Sequence, residues 1–243
     1  MTPTLLSDSM TIAYKEWREW FARSARPGWL GLMLLMVIWS MAAPFALRQV
    51  SAGTMLMVLV WLSLPMAISG VVVADSFAGE RERQTLETLL TSRLSDHAIV
   101  IGKIVAVVIV AAVFLLLDLA PGIAVVAAGA AGPEIALSAG RLGFWAVVIG
   151  LPLIALVISM GAIFALYAYT ARQSLLLVMA FVGALLLSAA GVVVWVSGQP
   201  SANLAPEVPA AHAFAIGVLL ALDGAALAWL MACAHRTRLL ALR

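Results

Sequence analysis

Six long apolar runs constrain the fold of this chain more than any other feature. An α-helix needs roughly 20 mainly apolar residues to cross the hydrocarbon core of a bilayer, and each run is about that long or longer. Strands of a membrane β-barrel would be shorter and would alternate in polarity, so the runs predict helices. The runs are approximately 29–47, 52–74, 104–127, 142–169, 174–196 and 211–233.

Proline occurs within the third and fourth runs. Pro121-Gly122 lies in the third run and Pro152 in the fourth, and both runs are longer than one straight crossing requires. Because proline removes a backbone donor and crowds the preceding turn, we expect a kink or a break at these positions.

The composition agrees with a membrane protein. The chain is 64% hydrophobic and only 11% charged, whereas soluble domains carry about 25% charged residues. We therefore expect an all-α polytopic membrane protein that forms one helical bundle. In this prediction residues 1–28 form a cytoplasmic N-terminus, 29–233 a six-helix transmembrane domain, and 234–243 a basic cytoplasmic tail. The basic residues flank the apolar runs and form no nucleic-acid-binding patch.

The positive charges predict an orientation. If the N-terminus is inside, twelve of the 14 Lys and Arg residues lie on the inner side, and only Arg48 and Arg141 lie outside. Basic residues concentrate on the cytoplasmic side of membrane proteins. We therefore expect a multi-pass protein of the cell membrane (an inner or plasma membrane) with both termini in the cytoplasm. Residues 75–103 would then form a cytoplasmic loop.

That loop holds the densest cluster of charge in the chain. Within it, residues 80–94 have the spacing of a short amphipathic helix, because four leucines recur at i, i+3, i+4 and i+8. Two interpretations stay open: the leucines pack on the bundle's own cytoplasmic end or the lipid surface, or they fit a groove on a cytosolic partner. The leucines are Leu86, Leu89, Leu90 and Leu94, and the charged residues are Asp75, Glu80, Arg81, Glu82, Arg83, Glu87, Arg93, Asp96 and Lys103.

The stretch GERERQTLETLLTSRLSDHAIVIGK, from Gly79 to Lys103, resembles the first cytoplasmic loop of type-2 ABC transporter permeases. These proteins are the membrane subunits of ATP-driven exporters. Six crossings with both termini inside are also similar to that family. The residues that carry the resemblance are Gly79, Glu80, Arg81, Glu82, Thr85, Leu86, Glu87, Leu89, Leu90, Gly102 and Lys103.

The resemblance implies a coupling helix that docks in a cleft of a separate ATP-binding subunit. The chain has no G-x-x-x-x-G-K-[ST] sequence, so we expect ATP and Mg²⁺ on that partner and no cofactor here. The resemblance also implies that a second copy, or a related permease chain, completes the translocation path. The expected coupling residues are Gly79, Glu80, Arg81, Glu82, Thr85, Leu86, Glu87, Leu89 and Leu90.

A second amphipathic stretch, AYKEWREWFARS, precedes the first apolar run. Its aromatic residues Trp17, Trp20 and Phe21 share one helical face, and most of the basic residues lie on the opposite face. This pattern predicts a helix that lies in the lipid interface with aromatic anchors. The resemblance implies a connector helix before the first crossing, and the two interpretations are compatible.

Two carboxylates fall inside apolar runs, Asp118 in the third and Asp223 in the sixth. A charged side chain at the centre of a membrane helix costs about 2.5–3.5 kcal/mol on insertion scales. One interpretation is that they line or gate the translocation path. Another is that they are hydrogen-bonded to neighbouring groups or carried in the neutral form.

Two other functions remain open at this point. A secondary transporter or channel could use Asp118 and Asp223 as ion or proton sites without any ATPase. A membrane scaffold could recruit a cytosolic protein without transporting anything. Enzyme signatures are absent from the sequence, which has one cysteine, no H-E-x-x-H and no nucleophile elbow. We therefore expect no catalytic residues and no metal site.

Overall fold

The computed structural model describes residues 5–24, 27–48, 53–79, 96–130, 132–137, 139–197 and 209–233. In these segments all regular structure is helical, which confirms the all-α prediction. The helices are α1 (Leu5–Ser24), α2 (Pro27–Leu47), α3 (Gly53–Ala74) with a π-helical turn (Asp75–Gly79), α4 (Asp96–Ala127), α5 (Pro133–Ala136), α6 (Ala139–Tyr167), α7 (Ala171–Ser197) and α8 (Pro209–Cys233).

Five helices are long and apolar enough to cross a membrane, so the prediction of a multi-pass membrane protein is supported by their length and composition. In α8, which corresponds to the sixth predicted crossing, the apolar stretch found among the described residues is the shorter segment Gly217–Cys233. The five long stretches are Leu30–Leu47, Met55–Gly79, Ala98–Ala127, Ala139–Tyr167 and Ala171–Trp195.

The bundle is built around α3, which packs against α2, α4, α6 and α7. Helix α4 packs against α1, α2, α3 and α6, while α8 packs against α6. Glycine allows the closest approach in this core: a Cβ at Gly150 of α6 would lie 2.5 Å from Leu62 Cδ2 of α3. Small residues at such positions let membrane helices gain van der Waals contact along their backbones.

The prolines do not interrupt the helices. Pro121 lies inside α4 and Pro152 inside α6, and both helices are continuous. Of the two expected alternatives, a break is wrong and a kink stays a prediction. Membrane helices tolerate proline where neighbouring groups satisfy the loosened backbone. In α4, the Ser40 hydroxyl of α2 donates a hydrogen bond to the carbonyl oxygen of Asp118, in the turn before Pro121.

One end of the bundle gathers several helix termini. The π-helical turn that extends α3 packs against α6 and α7. At the last residues of α6 and α8, the Tyr167 hydroxyl lies 3.6 Å from Cys233 Sγ. Helix α1 packs against α4 at the same end. We call this the α1 end of the bundle.

Candidate functional site

Lys103 of α4 is fully buried, although its sequence position beside a charged loop suggests an exposed side chain. Its Nζ donates one hydrogen bond to Glu16 Oε1 at 2.8 Å and another to the Ser76 carbonyl oxygen at 2.8 Å. The centroid of the Phe77 ring lies 5.7 Å from the same nitrogen. Burying an ammonium group is costly unless it is paired and hydrogen-bonded, and these contacts supply both. We call Glu16, Ser76, Phe77 and Lys103 the Lys103 junction.

Helix α1 brings Glu16 into this junction. Ser9, Ile12, Ala13 and Glu16 form its buried face, and they recur at i, i+3, i+4 and i+7. The face fits α4 because residue 102 is glycine. A Cβ there would lie 2.7 Å from the Ser9 carbonyl oxygen and 2.8 Å from Ile12 Cβ. The dipeptide Gly102-Lys103 therefore has two structural functions. The glycine lets α1 approach α4 closely, and the lysine binds the carboxylate of Glu16 in α1.

The π-helical turn contributes Ser76 and Phe77. Ser76, Phe77, Ala78 and Gly79 are all buried. The last carbonyl groups of a helix lack intrahelical partners and carry partial negative charge, so a cation is favourable there. Lys103 supplies that cation to the end of α3. Single π-helical turns are rare and frequently occur at functional sites.

The Lys103 junction connects both ends of the charged segment 80–95. The chain enters this segment directly after Gly79, three residues beyond Ser76, and leaves it at Asp96, seven residues before Lys103. The Lys103 side chain holds together the end of α3, the start of α4 and helix α1.

Of the predicted coupling residues, the structure describes Gly79, which is buried at the end of the π-helical turn. A Cβ at this glycine would lie 2.5 Å from Asp75 Oδ1. The other predicted coupling residues, Glu80, Arg81, Glu82, Thr85, Leu86, Glu87, Leu89 and Leu90, lie outside the described residues.

The stretch predicted to be an interfacial helix lies within helix α1. Trp17, a predicted anchor, is exposed. The backbone of Trp20 and Phe21 continues α1, and their side chains lie outside the described residues. Sequence reasoning missed the pairing of Glu16, and one signal could have found it. An acidic residue that shares a helical face with Ser9, Ile12 and Ala13 indicates a buried basic partner.

Asp118 lies in the opposite half of the bundle from the Lys103 junction, 15 residues further along α4. Its side chain is fully buried, and neither carboxylate oxygen has a hydrogen-bond partner among the residues that the structure describes. The backbone of Asp118, in contrast to its side chain, does accept a hydrogen bond. The Ser40 hydroxyl donates to the Asp118 carbonyl, and Trp61 Nε1 donates to the Ser40 carbonyl at 3.1 Å.

Gly122 completes this cluster one turn beyond Asp118. A Cβ at Gly122 would lie 2.5 Å from Ser40 Oγ and 2.6 Å from Trp61 Nε1. Helices α2, α3 and α4 are therefore in close contact beside the backbone of Asp118. The buried carboxyl group of the same residue has no hydrogen bond to a described neighbour. This arrangement is unusual because buried polar groups are generally paired.

Asp223, in α8, is also buried, and its Oδ1 has no hydrogen-bond partner in the described segments. Because the Asp118 oxygens bond to no described residue, the two carboxyl groups are not hydrogen-bonded to each other. The structure thus places the two acidic residues in separate helices that both pack against α6. Across the described segments, no group of three or more His, Cys, Asp or Glu side chains could hold a metal ion.

Comparison with known proteins adds no identification, because neither a protein-family model nor a curated protein matches this chain.

Proposed function

We propose that this chain is the permease subunit of an ATP-driven ABC exporter. In this proposal six helices, including α8, cross the cell membrane with both termini in the cytoplasm. The chain forms the translocation path with a second copy or a related permease chain. A separate ATP-binding subunit supplies ATP, Mg²⁺ and hydrolysis. The charged loop at 79–94 docks on that subunit.

The observation that carries the proposal is the Lys103 junction. A coupling loop must pass force to the membrane helices, so its ends need rigid attachment. Here one buried ammonium group bonds a carboxylate of α1 and a carbonyl at the end of α3. Breaking one partner from a buried pair is strongly unfavourable, so the three helices are expected to move together.

The proposed cycle follows from this connection. When ATP closes the partner subunits, the docked segment 80–94 shifts with them. The junction passes that shift to α3 and α4, and through Glu16 to α1. Tilting of α3 and α4 then opens or closes the path. The chain's own contribution is conformational and includes no catalytic residue.

Co-purification tests the proposal. The tagged chain is isolated in mild detergent from membranes of its native host, and co-purifying chains are identified by mass spectrometry. We expect a chain with a Walker-type phosphate-binding loop to accompany the wild type and to be lost from the Glu82→Ala/Leu86→Asp variant. Leu137→Asp is the control, since Leu137 is exposed in the connection between α5 and α6, away from the loop. Recovery of a folded chain without any such partner would contradict the proposal.

A second candidate function is an ATPase-independent secondary transporter or channel. The observation that favours it is Asp118, a fully buried carboxyl group whose oxygens have no partner among the described residues. Such groups in membrane helices often belong to ion or proton pathways. Flux through the purified chain in ATPase-free vesicles, abolished by Asp118→Asn, would support this candidate over the first.

A further inference from the structure

The π-helical turn Asp75–Gly79 departs from the α-helical register at the end of α3. An α-helix pairs each backbone N–H with the carbonyl four residues earlier, whereas a π-helix pairs it with the carbonyl five residues earlier. A π-helical turn therefore holds one residue more than an α-helical turn. Rewinding it into α-helix shifts the residues that follow by one register position, which corresponds to about 100° of rotation.

The part of α3 that precedes the turn is tightly packed. A Cβ at Gly70 of α3 would lie 2.7 Å from Val178 Cγ1 of α7. A Cβ at Gly161 of α6 would overlap the side chain of Val73 in α3. Helices α3, α6 and α7 are therefore in close contact up to the residues just before Asp75. A change of register is consequently confined to the residues from Asp75 onward.

Lys103 contacts the turn at two residues. The Ser76 carbonyl, which in an α-helix would accept the N–H of the residue four positions later, accepts a hydrogen bond from Lys103 Nζ at 2.8 Å. The same nitrogen lies 5.7 Å from the centroid of the Phe77 ring. Rewinding would rotate this carbonyl and this ring about the helix axis, away from the lysine. The two contacts therefore stabilise the π-helical register.

Ser174 of α7 is a buried donor without an acceptor. Its side chain is fully buried, and its Oγ has no hydrogen-bond partner among the residues that the structure describes. Buried polar groups are generally paired, and leaving one unpaired is costly. An unpaired hydroxyl group beside a segment with two possible registers points to an acceptor that the other register supplies.

The position of Ser174 places it beside the π-helical turn. Ser174 lies one helical turn from Val178 on the same face of α7, and Val178 contacts α3 at Gly70. Helix α7 begins at Ala171, three residues after the connection from α6 at the α1 end. The direction from Val178 to Ser174 therefore leads towards the π-helical turn, which packs against α7.

We propose that the turn Asp75–Gly79 is a hinge with two registers. In the π-helical register the Ser76 carbonyl is bonded to Lys103. In the α-helical register that bond is released, and the Ser174 hydroxyl donates to a carbonyl at the rewound end of α3. Because the chain continues directly from Gly79 into segment 80–95, the change of register also rotates the direction in which that segment leaves α3. The hinge does not depend on the proposed function, since it would serve an exporter and a secondary transporter alike.

Solid-state NMR of the full chain in phosphatidylcholine vesicles tests the hinge. The chain is prepared with isotope-labelled phenylalanine, and the Phe77 signal is assigned among the eight phenylalanines by comparison with Phe77→Leu. Phe77 is a buried residue of the turn, so its chemical shift differs between the registers. The ratio of its two signals, or the position of one averaged signal when exchange is fast, measures the populations.

Two substitutions should move these populations in opposite directions. Glu16→Leu/Lys103→Met removes the donor to Ser76 without leaving an unpaired charge, and we expect the α-helical register to gain about fivefold over the π-helical one. Adding Ser174→Ala to this variant should reverse the gain by about fivefold. Each value is the effect of losing one hydrogen bond of ordinary net strength. Ser188→Ala in the same background is the control, because the Ser188 hydroxyl donates to the Leu185 carbonyl within α7, and it should leave the populations unchanged.

Two outcomes would overturn the inference. A single Phe77 signal that has the same position with and without Ser174→Ala would mean that the turn keeps one register. Two signals whose ratio does not respond to Ser174→Ala would mean that this hydroxyl group has another partner, such as a buried water molecule, and does not select a register.

Discussion

Lys103 Nζ lies 2.8 Å from Glu16 Oε1, and these two residues are 87 positions apart in the chain. Both side chains are buried, and the same nitrogen also bonds the Ser76 carbonyl. This contact makes the N-terminal helix an integral part of the helical bundle, and the first prediction concerns its strength.

Replacing Lys103 by alanine leaves a buried carboxylate and a helix-end carbonyl without their donor. We expect the free energy of unfolding to fall by about 3–5 kcal/mol, measured by SDS-induced unfolding from mixed micelles. Arg18→Ala is the control, because it removes a positive charge from an exposed position and should change stability by less than about 0.5 kcal/mol.

The double variant Glu16→Leu/Lys103→Met separates pairing from packing. Replacing both partners by apolar residues removes the unpaired charge, so we expect it to be more stable than Lys103→Ala alone. Wild-type stability in Lys103→Ala would show that the pair contributes nothing to the fold.

Gly102→Ala should displace α1 from α4. The added methyl group would lie 2.7 Å from the Ser9 carbonyl oxygen, a backbone atom that cannot rotate away. We expect a loss of about 1–3 kcal/mol, as for other overpacked sites, measured in the same unfolding assay. Gly183→Ala in α7 is the matched control, since no heavy atom lies within 4 Å of its Cβ position. Equal effects of the two substitutions would contradict the close approach at Gly102.

Asp118→Leu should not destabilise the chain. The Asp118 carboxyl group makes no hydrogen bond to any described residue, so its replacement removes no bond among those residues. It also removes a buried polar group whose missing hydrogen bond costs about 1–3 kcal/mol. We expect equal or higher stability in the unfolding assay. A fall of several kcal/mol would indicate that Asp118 binds a group that holds the fold together. The control Ser40→Ala removes a hydrogen bond to the Asp118 backbone and should cost about 0.6 kcal/mol, a typical value inside a membrane.

The proposed orientation predicts which connections face outward. Leu137 is 93% exposed between α5 and α6, and Tyr169 is 74% exposed between α6 and α7. In the Cys233→Ser background, Leu137→Cys should react with a membrane-impermeant maleimide on intact cells. Tyr169→Cys should react only after the cells are permeabilised. The opposite labelling pattern would invert the topology.

The positions of the long helices could be predicted from the sequence because crossing a bilayer depends on the length of each apolar run. Five of the six begin within three residues of the expected start, and α4 is the exception. Its apolar run is expected from near Ile104, because a charged lysine precedes it. The helix itself begins earlier, at Asp96, and Lys103 within it is buried by contacts with Glu16 and Ser76. Those contacts come from distant parts of the chain and leave no trace in local hydropathy.

Helix α4 also continues through Pro121, where the sequence alone indicates a weak point. Residues from distant parts of the chain pack against this part of the helix. Ser40 of α2 donates to the turn before the proline, and Trp61 of α3 lies against Gly122. At the candidate site, the sequence predicted the charged loop and the amphipathic α1. It could not predict that one lysine joins them, because pairing between residues so far apart requires the tertiary fold.

The Lys103 junction also has a consequence for biosynthesis. Glu16 leaves the ribosome 87 residues before its partner. Until Lys103 has been translated and α4 inserted, the carboxylate of Glu16 lacks its buried partner. Helix α1 is therefore synthesised before α4, yet it reaches its final position only after α4 is in place.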